Sequence, residues 1–188
     1  MPGPGPGILG ILAQEGPSRE VCLSAGLWAR CEAGHLTLGK KDLQPPPSGF
    51  EQSIALEGET AIDPLGIRLV GLGQIKERPP EGSENILCLV PGSLHGDLSV
   101  GPPRSGDRIR PYGLGGEKKL QDLLVDRKIP RSWRPWVPVF RSHGKVVAVL
   151  PPWGGGPLAV DEGVNPTWEK DSWPLGFQVE LLGNSHKS

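Results

Sequence analysis

The segment between Gly115-Gly116 and Pro130 limits most strongly what this chain can fold into. Leu120, Leu123 and Leu124 recur with the spacing of one helical face, so they predict a short amphipathic helix. The two glycines give the helix a flexible entry, and Pro130 ends it because proline has no backbone N–H and restricts the residue before it. The chain is therefore expected to contain one short helix whose leucines pack against a sheet.

Basic residues are concentrated around this helix. Residues 104–145 contain eleven Lys or Arg and four Asp or Glu, a net charge of +7, whereas the rest of the chain carries −8. Lys118 and Lys119 stand at the positive end of the predicted helix, where each costs roughly a few tenths of a kcal/mol. Residues that oppose the local preference of their element, with no visible gain in stability, often mark a functional site. Such a cluster is expected of a protein that binds nucleic-acid phosphates, with a solvated charged face as the alternative.

Several motifs of this region resemble one known family. The motifs are Gly-Asp-Arg-Ile-Arg-Pro at 106–111, Lys-Lys-Leu at 118–120, Asp-Arg-Lys-Ile-Pro-Arg at 126–131 and Val-Pro-Val at 137–139. In order and spacing they resemble the C-terminal domain of bacterial tRNA(Ile)-lysidine synthase over residues 92–151. A weaker likeness extends upstream to residues 27–30, 34–38 and 66–69.

This resemblance implies a role in tRNA modification. In that family of ligases, an N-terminal ATP-pyrophosphatase domain uses ATP and magnesium to adenylate the wobble cytidine of an isoleucine tRNA. Free lysine then displaces AMP, while the C-terminal domains hold the tRNA. The resemblance implies docking near the acceptor arm through shape and phosphate contacts, without reading of bases.

The family's phosphate loop has no counterpart in this chain. Its form, Ser-Gly-Gly-x-Asp-Ser, places glycine amides around pyrophosphate, and nothing of that form occurs in the 188 residues. We therefore expect a tRNA-binding module without a cofactor or activity of its own. It would be the RNA-holding part of a split, truncated or partner-dependent enzyme whose ATP-pyrophosphatase domain lies elsewhere. The alternative is a free-standing protein-interaction or scaffold module whose acidic flanks and Trp-rich tail are the binding surfaces.

The candidate site residues are all cations expected to contact RNA phosphates: Arg108, Arg110, Lys118, Lys119, Arg127, Lys128, Arg131 and Arg134. We predict no catalytic residue, because no two carboxylates are placed for acid–base work. We predict no metal site either, since no His has ligand spacing from the three cysteines. Asp107 is expected to pair with Arg108 or Arg110, and Asp126 with Lys128 or Arg131. Trp133 and Trp136 are expected to pack over the helix, with stacking on a nucleotide as the alternative.

The predicted fold is a small α+β protein with a mostly antiparallel sheet, one principal amphipathic helix and flexible ends rich in Pro and Gly. Predicted hairpins join residues 27–30 to 35–38 and 137–140 to 145–150, and residues 86–90 are expected to pair with 94–100.

The chain is expected to divide into four parts. These are a flexible N-terminal segment (1–17), a β-rich lead-in (18–91), the lysidine-synthase-like domain (92–151) and a disordered Gly/Pro/Trp-rich tail (152–188). The alternative for the tail is one edge strand over residues 177–182. Residues 1–17 and 153–188 are expected to be dispensable for folding. The only apolar run near the start is too short to span a membrane, and the three cysteines suggest no disulfide framework. We therefore expect a cytoplasmic protein.

Overall fold

A computed structural model describes residues 18–22, 27–32, 34–40, 46–47, 49–80, 83, 85–94, 97–166, 168 and 173–182. Within these residues the chain forms antiparallel strand pairs and one α-helix, α1, of seven residues (Leu120–Asp126). The predicted class, antiparallel sheets with one principal helix, is confirmed. No helix in the described part of the chain has the length and apolar character needed to cross a membrane. The predicted flexible segment 1–17 lies outside the described residues.

A five-stranded sheet forms the middle layer. In spatial order its strands are β13 (Ala159–Val160), β12 (Lys145–Val149), β11 (Val139–Ser142), β8 (Leu98–Gly101) and β4 (Gln52–Ser53). β11 and β12 form the hairpin predicted from the sequence. It turns at His143 and Gly144, which both have positive φ (52° and 74°), as a two-residue type I′ turn requires.

A four-stranded sheet packs on one face of this layer. Its order is β5 (Glu57–Ile62), β6 (Ile67–Gln74), β14 (Leu175–Leu181) and β7 (Ile86–Leu89). The predicted partner of β7 is wrong, because β7 pairs with β14, whereas β8 pairs with β11 and β4. The predicted disorder of the tail is also wrong for β13 and β14, and β14 is an inner strand of its sheet, whereas the alternative was an edge strand. Leu175, Phe177 and Val179 enter the core, and Phe177 and Val179 alternate with the half-buried Gln178 and Glu180. The surrounding Gly, Pro and acidic residues obscure this short period of two in the sequence.

Two hydrophobic clusters cover the two faces of the five-stranded sheet. The first lies between the two sheets and includes Ile67, Leu87, Val100 and Phe177. Residues on both sides of the predicted boundary at 91–92 contribute to it. The second lies on the other face, where α1 packs. It contains Ile109, Leu120, Leu123, Leu124, Ile129, Val137, Val139, Val146, Val149 and Ala159. The three leucines therefore bury against a sheet as predicted, and every residue of β11 is buried because both faces are covered.

A separate three-stranded sheet comes first in the chain. Its strands are β1 (Ser18–Cys22), β2 (Leu27–Glu32) and β3 (His35–Lys40), in that spatial order. The predicted hairpin of residues 27–30 and 35–38 is confirmed as β2 and β3, in which Glu32 lies opposite His35. This sheet contacts the 3-10 helix Arg131–Trp136, which follows α1.

Candidate RNA-binding surface

A two-stranded hairpin precedes α1 and carries four of the candidate cations. β9 (Arg108–Ile109) pairs with β10 (Lys118–Lys119), with Arg108 opposite Lys119. Directly opposed residues of an antiparallel pair lie on the same face. Because Ile109 is buried, Arg108 and Lys119 project from the other face into solvent. Arg110 follows β9 directly and is also exposed.

Lys118 does not act on the helix dipole as expected. It belongs to the extended strand β10, and its ammonium pairs with the Asp126 carboxylate at the last residue of α1. An extended backbone before the helix lets this long side chain run along α1 to its far end. The predicted pairing of Asp126 with Lys128 or Arg131 is therefore wrong.

The C-terminal turn of α1 exposes two further cations. Arg127 is the C-cap, and Lys128 adopts the left-handed conformation with φ 56°. The N–H of Ile129 donates to Leu124 O at 2.9 Å, and Ile129 is buried against the sheet. This turn leaves the Arg127 and Lys128 side chains exposed next to each other.

Three of the eight candidate cations have carboxylate partners. Besides the pair of Lys118 and Asp126, Arg108 Nε lies 2.5 Å from Glu117 Oε2, and Arg110 Nη1 lies 3.3 Å from Glu162 Oε1. All these pairs are partly exposed, and an exposed ion pair contributes only about 0–1 kcal/mol. A phosphate can therefore replace the carboxylate. The other five candidates have no carboxylate of the described residues within 4.0 Å: Lys119, Arg127, Lys128, Arg131 and Arg134.

The 3-10 helix Arg131–Trp136 is fixed by residues about one hundred positions earlier. Glu32 accepts hydrogen bonds from the Arg131 N–H (2.7 Å) and from Ser132 Oγ (2.8 Å). Trp133 Nε1 donates to Thr37 Oγ1 at 2.6 Å. The three-stranded sheet thus supplies a side-chain cap to this helix, and no local sequence signal marks Glu32 for that role.

The electrostatics of Glu32 reflect this contact. Burial alone would raise the pKa of its carboxyl. The hydrogen bonds from Ser132 and from the Arg131 backbone, together with nearby Arg30, outweigh burial and hold the pKa below its usual value. The carboxylate therefore remains ionised while it holds the helix.

The other side chains of the 3-10 helix face inward to different degrees. Arg134 is half-buried, and its Nε donates to Ile129 O at 3.1 Å, so it braces the turn after α1. Trp133 makes an edge-to-face contact with Trp153, with ring centroids 6.2 Å apart and an angle of 84°. The indole of Trp133 is therefore used in packing, as predicted, and not in the alternative, stacking on a nucleotide.

Asp107 has a structural partner that sequence proximity did not predict. Its Oδ2 lies 2.5 Å from Arg141 Nη2, and Arg141 is 1% exposed. Arg141 Nη2 also donates to Pro102 O at 2.9 Å, and Asp107 accepts the Arg104 N–H at 2.7 Å. The predicted pairing of Asp107 with Arg108 or Arg110 is therefore wrong. Arg141 belongs to the positive sequence cluster but is 1% exposed, so RNA cannot reach it.

Comparison with known proteins finds relatives for the part of the chain that carries the candidate cations. Residues 98–154 match the family model of the TilS substrate C-terminal domain. The tRNA(Ile)-lysidine synthase of Symbiobacterium thermophilum is 38% identical over 110 residues, which are 57% of this chain and 23% of that protein. The Bacillus licheniformis enzyme is 27% identical over 142 residues, 74% and 30% respectively. The chain therefore spans less than a third of the length of these relatives.

The fold agrees with the sequence comparison. A crystal structure of the TilS C-terminal domain superimposes with a TM-score of 0.57 at 20% identity, covering 71% of this chain and 98% of that one. All eight candidate cations lie within the segment that matches the family model. The resemblance of this chain to the C-terminal region of tRNA(Ile)-lysidine synthase is therefore confirmed, by sequence over residues 98–154 and by the fold.

Proposed function

We propose that this chain is a tRNA-binding module that acts in the modification of the wobble cytidine, as the RNA-holding part of a lysidine-synthase-type enzyme. One observation carries the proposal. Lys119, Arg127 and Lys128 are exposed, have no carboxylate partner among the described residues, and lie in the segment related to a domain of tRNA-modifying enzymes. Free cations held on a rigid frame are what a phosphate backbone requires.

The binding mode follows from where these cations lie. Lys119 is fixed by the β9–β10 pairing, and Arg127 and Lys128 by the turn that buries Ile129. Arg108, Arg110 and Lys118 join the surface when phosphates replace their carboxylate partners. Such contacts orient the RNA but do not read its base sequence, so the module would recognise tRNA by shape and charge.

The ATP-dependent step would come from a separate ATP-pyrophosphatase domain, on the same or another polypeptide, which would bind ATP and magnesium. This part of the proposal is supported by the sequence, because no Ser-Gly-Gly-x-Asp-Ser loop occurs in the 188 residues. In this arrangement the present chain holds and orients the tRNA while the other domain performs the chemistry.

Titration with tRNA at several salt concentrations tests the proposal. In the double variant Lys119→Ala/Lys128→Ala, affinity should fall, and the slope of log K against log salt should become shallower by about 1.5, because each phosphate contact contributes roughly 0.7 to 0.9. The matched control is Lys76→Ala, which removes an exposed lysine that follows β6 and has no carboxylate within 4.0 Å among the described residues.

The control should bind tRNA like the wild type. Equal slopes for the double variant and the control would show that the surface does not contact phosphates. A wild-type chain that does not bind tRNA would refute the proposal and favour the scaffold role.

A further inference from the structure

Tyr112 is an exposed aromatic residue on the candidate surface that the fold does not use. Its side chain is 65% exposed. Arg108, Arg110 and Tyr112 are exposed and alternate with buried Ile109 and Pro111. Alternate residues of an extended segment share a face and lie roughly 6–7 Å apart. The two arginines and the tyrosine therefore form one solvent-facing row.

The backbone beneath this row is held in place by β13 and the two residues that follow it. The Tyr112 N–H donates to Val160 O at 3.0 Å, and the Glu162 N–H donates to Arg110 O at 2.8 Å. The Arg110 N–H donates to Asp161 Oδ2 at 3.0 Å, and Pro111 forms an isolated β-bridge with Asp161. The tyrosine ring therefore projects from a fixed stem, which leaves little conformational entropy to lose when it binds a ligand.

The loop after Tyr112 leaves its ring accessible. Gly113 and Gly115 have φ of 80° and 61°, and no other atom lies near the space that a Cβ would occupy at either position. Leu114, between them, is 60% exposed. The chain then returns to β10, where Lys119 lies opposite Arg108.

A fixed, exposed aromatic ring among cations matches the chemistry of unpaired nucleotides. The ring stacks on a base, and the neighbouring cations pair with the flanking phosphates. A fully paired helix offers phosphates but no free base face. We propose that Tyr112 stacks on an unpaired nucleotide of the bound RNA at the end of this row, next to a phosphate contact made by Arg110 and with Arg108 and Lys119 further along. This inference rests on the proposed function and adds a contact that distinguishes unpaired from paired RNA.

The experiment compares Tyr112→Ala and Tyr112→Phe with the wild type on two probes: a tRNA transcript and a blunt-ended, fully paired RNA duplex. Tyr112→Ala should weaken tRNA binding by roughly 5- to 100-fold, the range for loss of one stacked base. Its salt slope should not change, because no charge is removed. Tyr112→Phe should bind tRNA like the wild type, and all three proteins should bind the duplex equally.

Trp173→Ala is the matched control, since Trp173 is an exposed aromatic (41%) just before β14 in the other sheet. It should bind both probes like the wild type. Melting curves should coincide for wild type and Tyr112→Ala because the ring is exposed.

Three results would overturn the inference while leaving the proposed function intact. These are wild-type tRNA affinity in Tyr112→Ala, an equal loss on the duplex, or loss of binding in Tyr112→Phe. If the wild type binds neither RNA, the proposed function and the stacking contact both fail.

Discussion

Lys128 combines a strained backbone with an exposed charge. Its φ of 56° lies in the left-handed region, where glycine is the residue that most often follows a helix. A side chain in this conformation costs roughly 1 kcal/mol relative to glycine. Strain of this kind is often kept at functional positions, and here the exposed ammonium group has no carboxylate partner in the part of the chain that the structure describes.

Lys128→Gly should therefore separate stability from binding. We expect the free energy of unfolding to rise by at most about 0.6 kcal/mol, because relief of about 1 kcal/mol of strain is partly offset by about 0.4–1 kcal/mol for the greater flexibility of glycine in the unfolded chain. The affinity for tRNA should fall through the loss of one cation. Denaturant unfolding and tRNA titration measure the two effects. The control Lys119→Gly has an extended backbone with no strain to relieve, so it should lose stability as well as affinity. A less stable Lys128→Gly would contradict the strain interpretation.

At the residue scale, sequence reasoning succeeded where the signal was periodic. The spacing of Leu120, Leu123 and Leu124 was sufficient to identify the buried face of α1. The partners of charged side chains cannot be predicted from periodicity. Asp107, for example, pairs with Arg141, 34 positions later in the chain. Counting charges along the chain also included Arg141, whose burial depends on layers that the local sequence does not describe.

At the scale of elements, the contact between the three-stranded sheet and the 3-10 helix Arg131–Trp136 joins two distant parts of the chain. The β2–β3 hairpin could be predicted because its signals are local. Its docking site could not be predicted, because it depends on hydrogen bonds that Glu32 and Thr37 accept from Ser132 and Trp133, about one hundred positions later. The 3-10 helix contains Pro135 and has no periodic apolar face, so the sequence pattern does not predict a helix there.

Glu32→Gln tests this contact through its pH dependence. The pKa of Glu32 in the folded state lies below its usual value of 4.5. Its ionised form therefore stabilises the fold above about pH 4.5, and this contribution disappears as pH falls through the lowered pKa. We expect Glu32→Gln to unfold at lower urea concentration than the wild type at pH 7, with the difference shrinking in acid.

The control Glu59→Gln changes an exposed carboxylate on β5, and it should unfold nearly like the wild type at both pH values. A pH-independent difference for Glu32→Gln would mean that the carboxylate charge does not hold the 3-10 helix.

For the whole molecule, β14 is the element that sequence reasoning placed least well. It lies between β6 and β7, so each of these strands would lose a neighbour without it. Phe177 is completely buried in the core between the sheets. The composition of the tail suggested disorder because composition is averaged over a segment, whereas a strand needs only a few residues with the correct alternation.

Truncation should show that the tail is part of the folded body. Removing residues 173–188 should abolish cooperative thermal unfolding, since loss of the Phe177 side chain alone costs about 3–5 kcal/mol and a small domain has about 5–15 kcal/mol in total. The matched control removes only residues 183–188 and keeps β14, so it should unfold cooperatively. Cooperative melting of the shorter chain would show that β14 is dispensable.

The position of β14 also orders events during protein synthesis. β6 ends at residue 74 and β14 begins at residue 175, so a ribosome that adds about 5–20 residues per second completes β6 roughly 5–20 s before it begins β14. Once β7 has also been made, the nascent chain carries β5, β6 and β7 but lacks β14, the strand that lies between β6 and β7. Their apolar faces are then open to chaperones or to other nascent chains, and the sheet closes only after all eight candidate cations have been made.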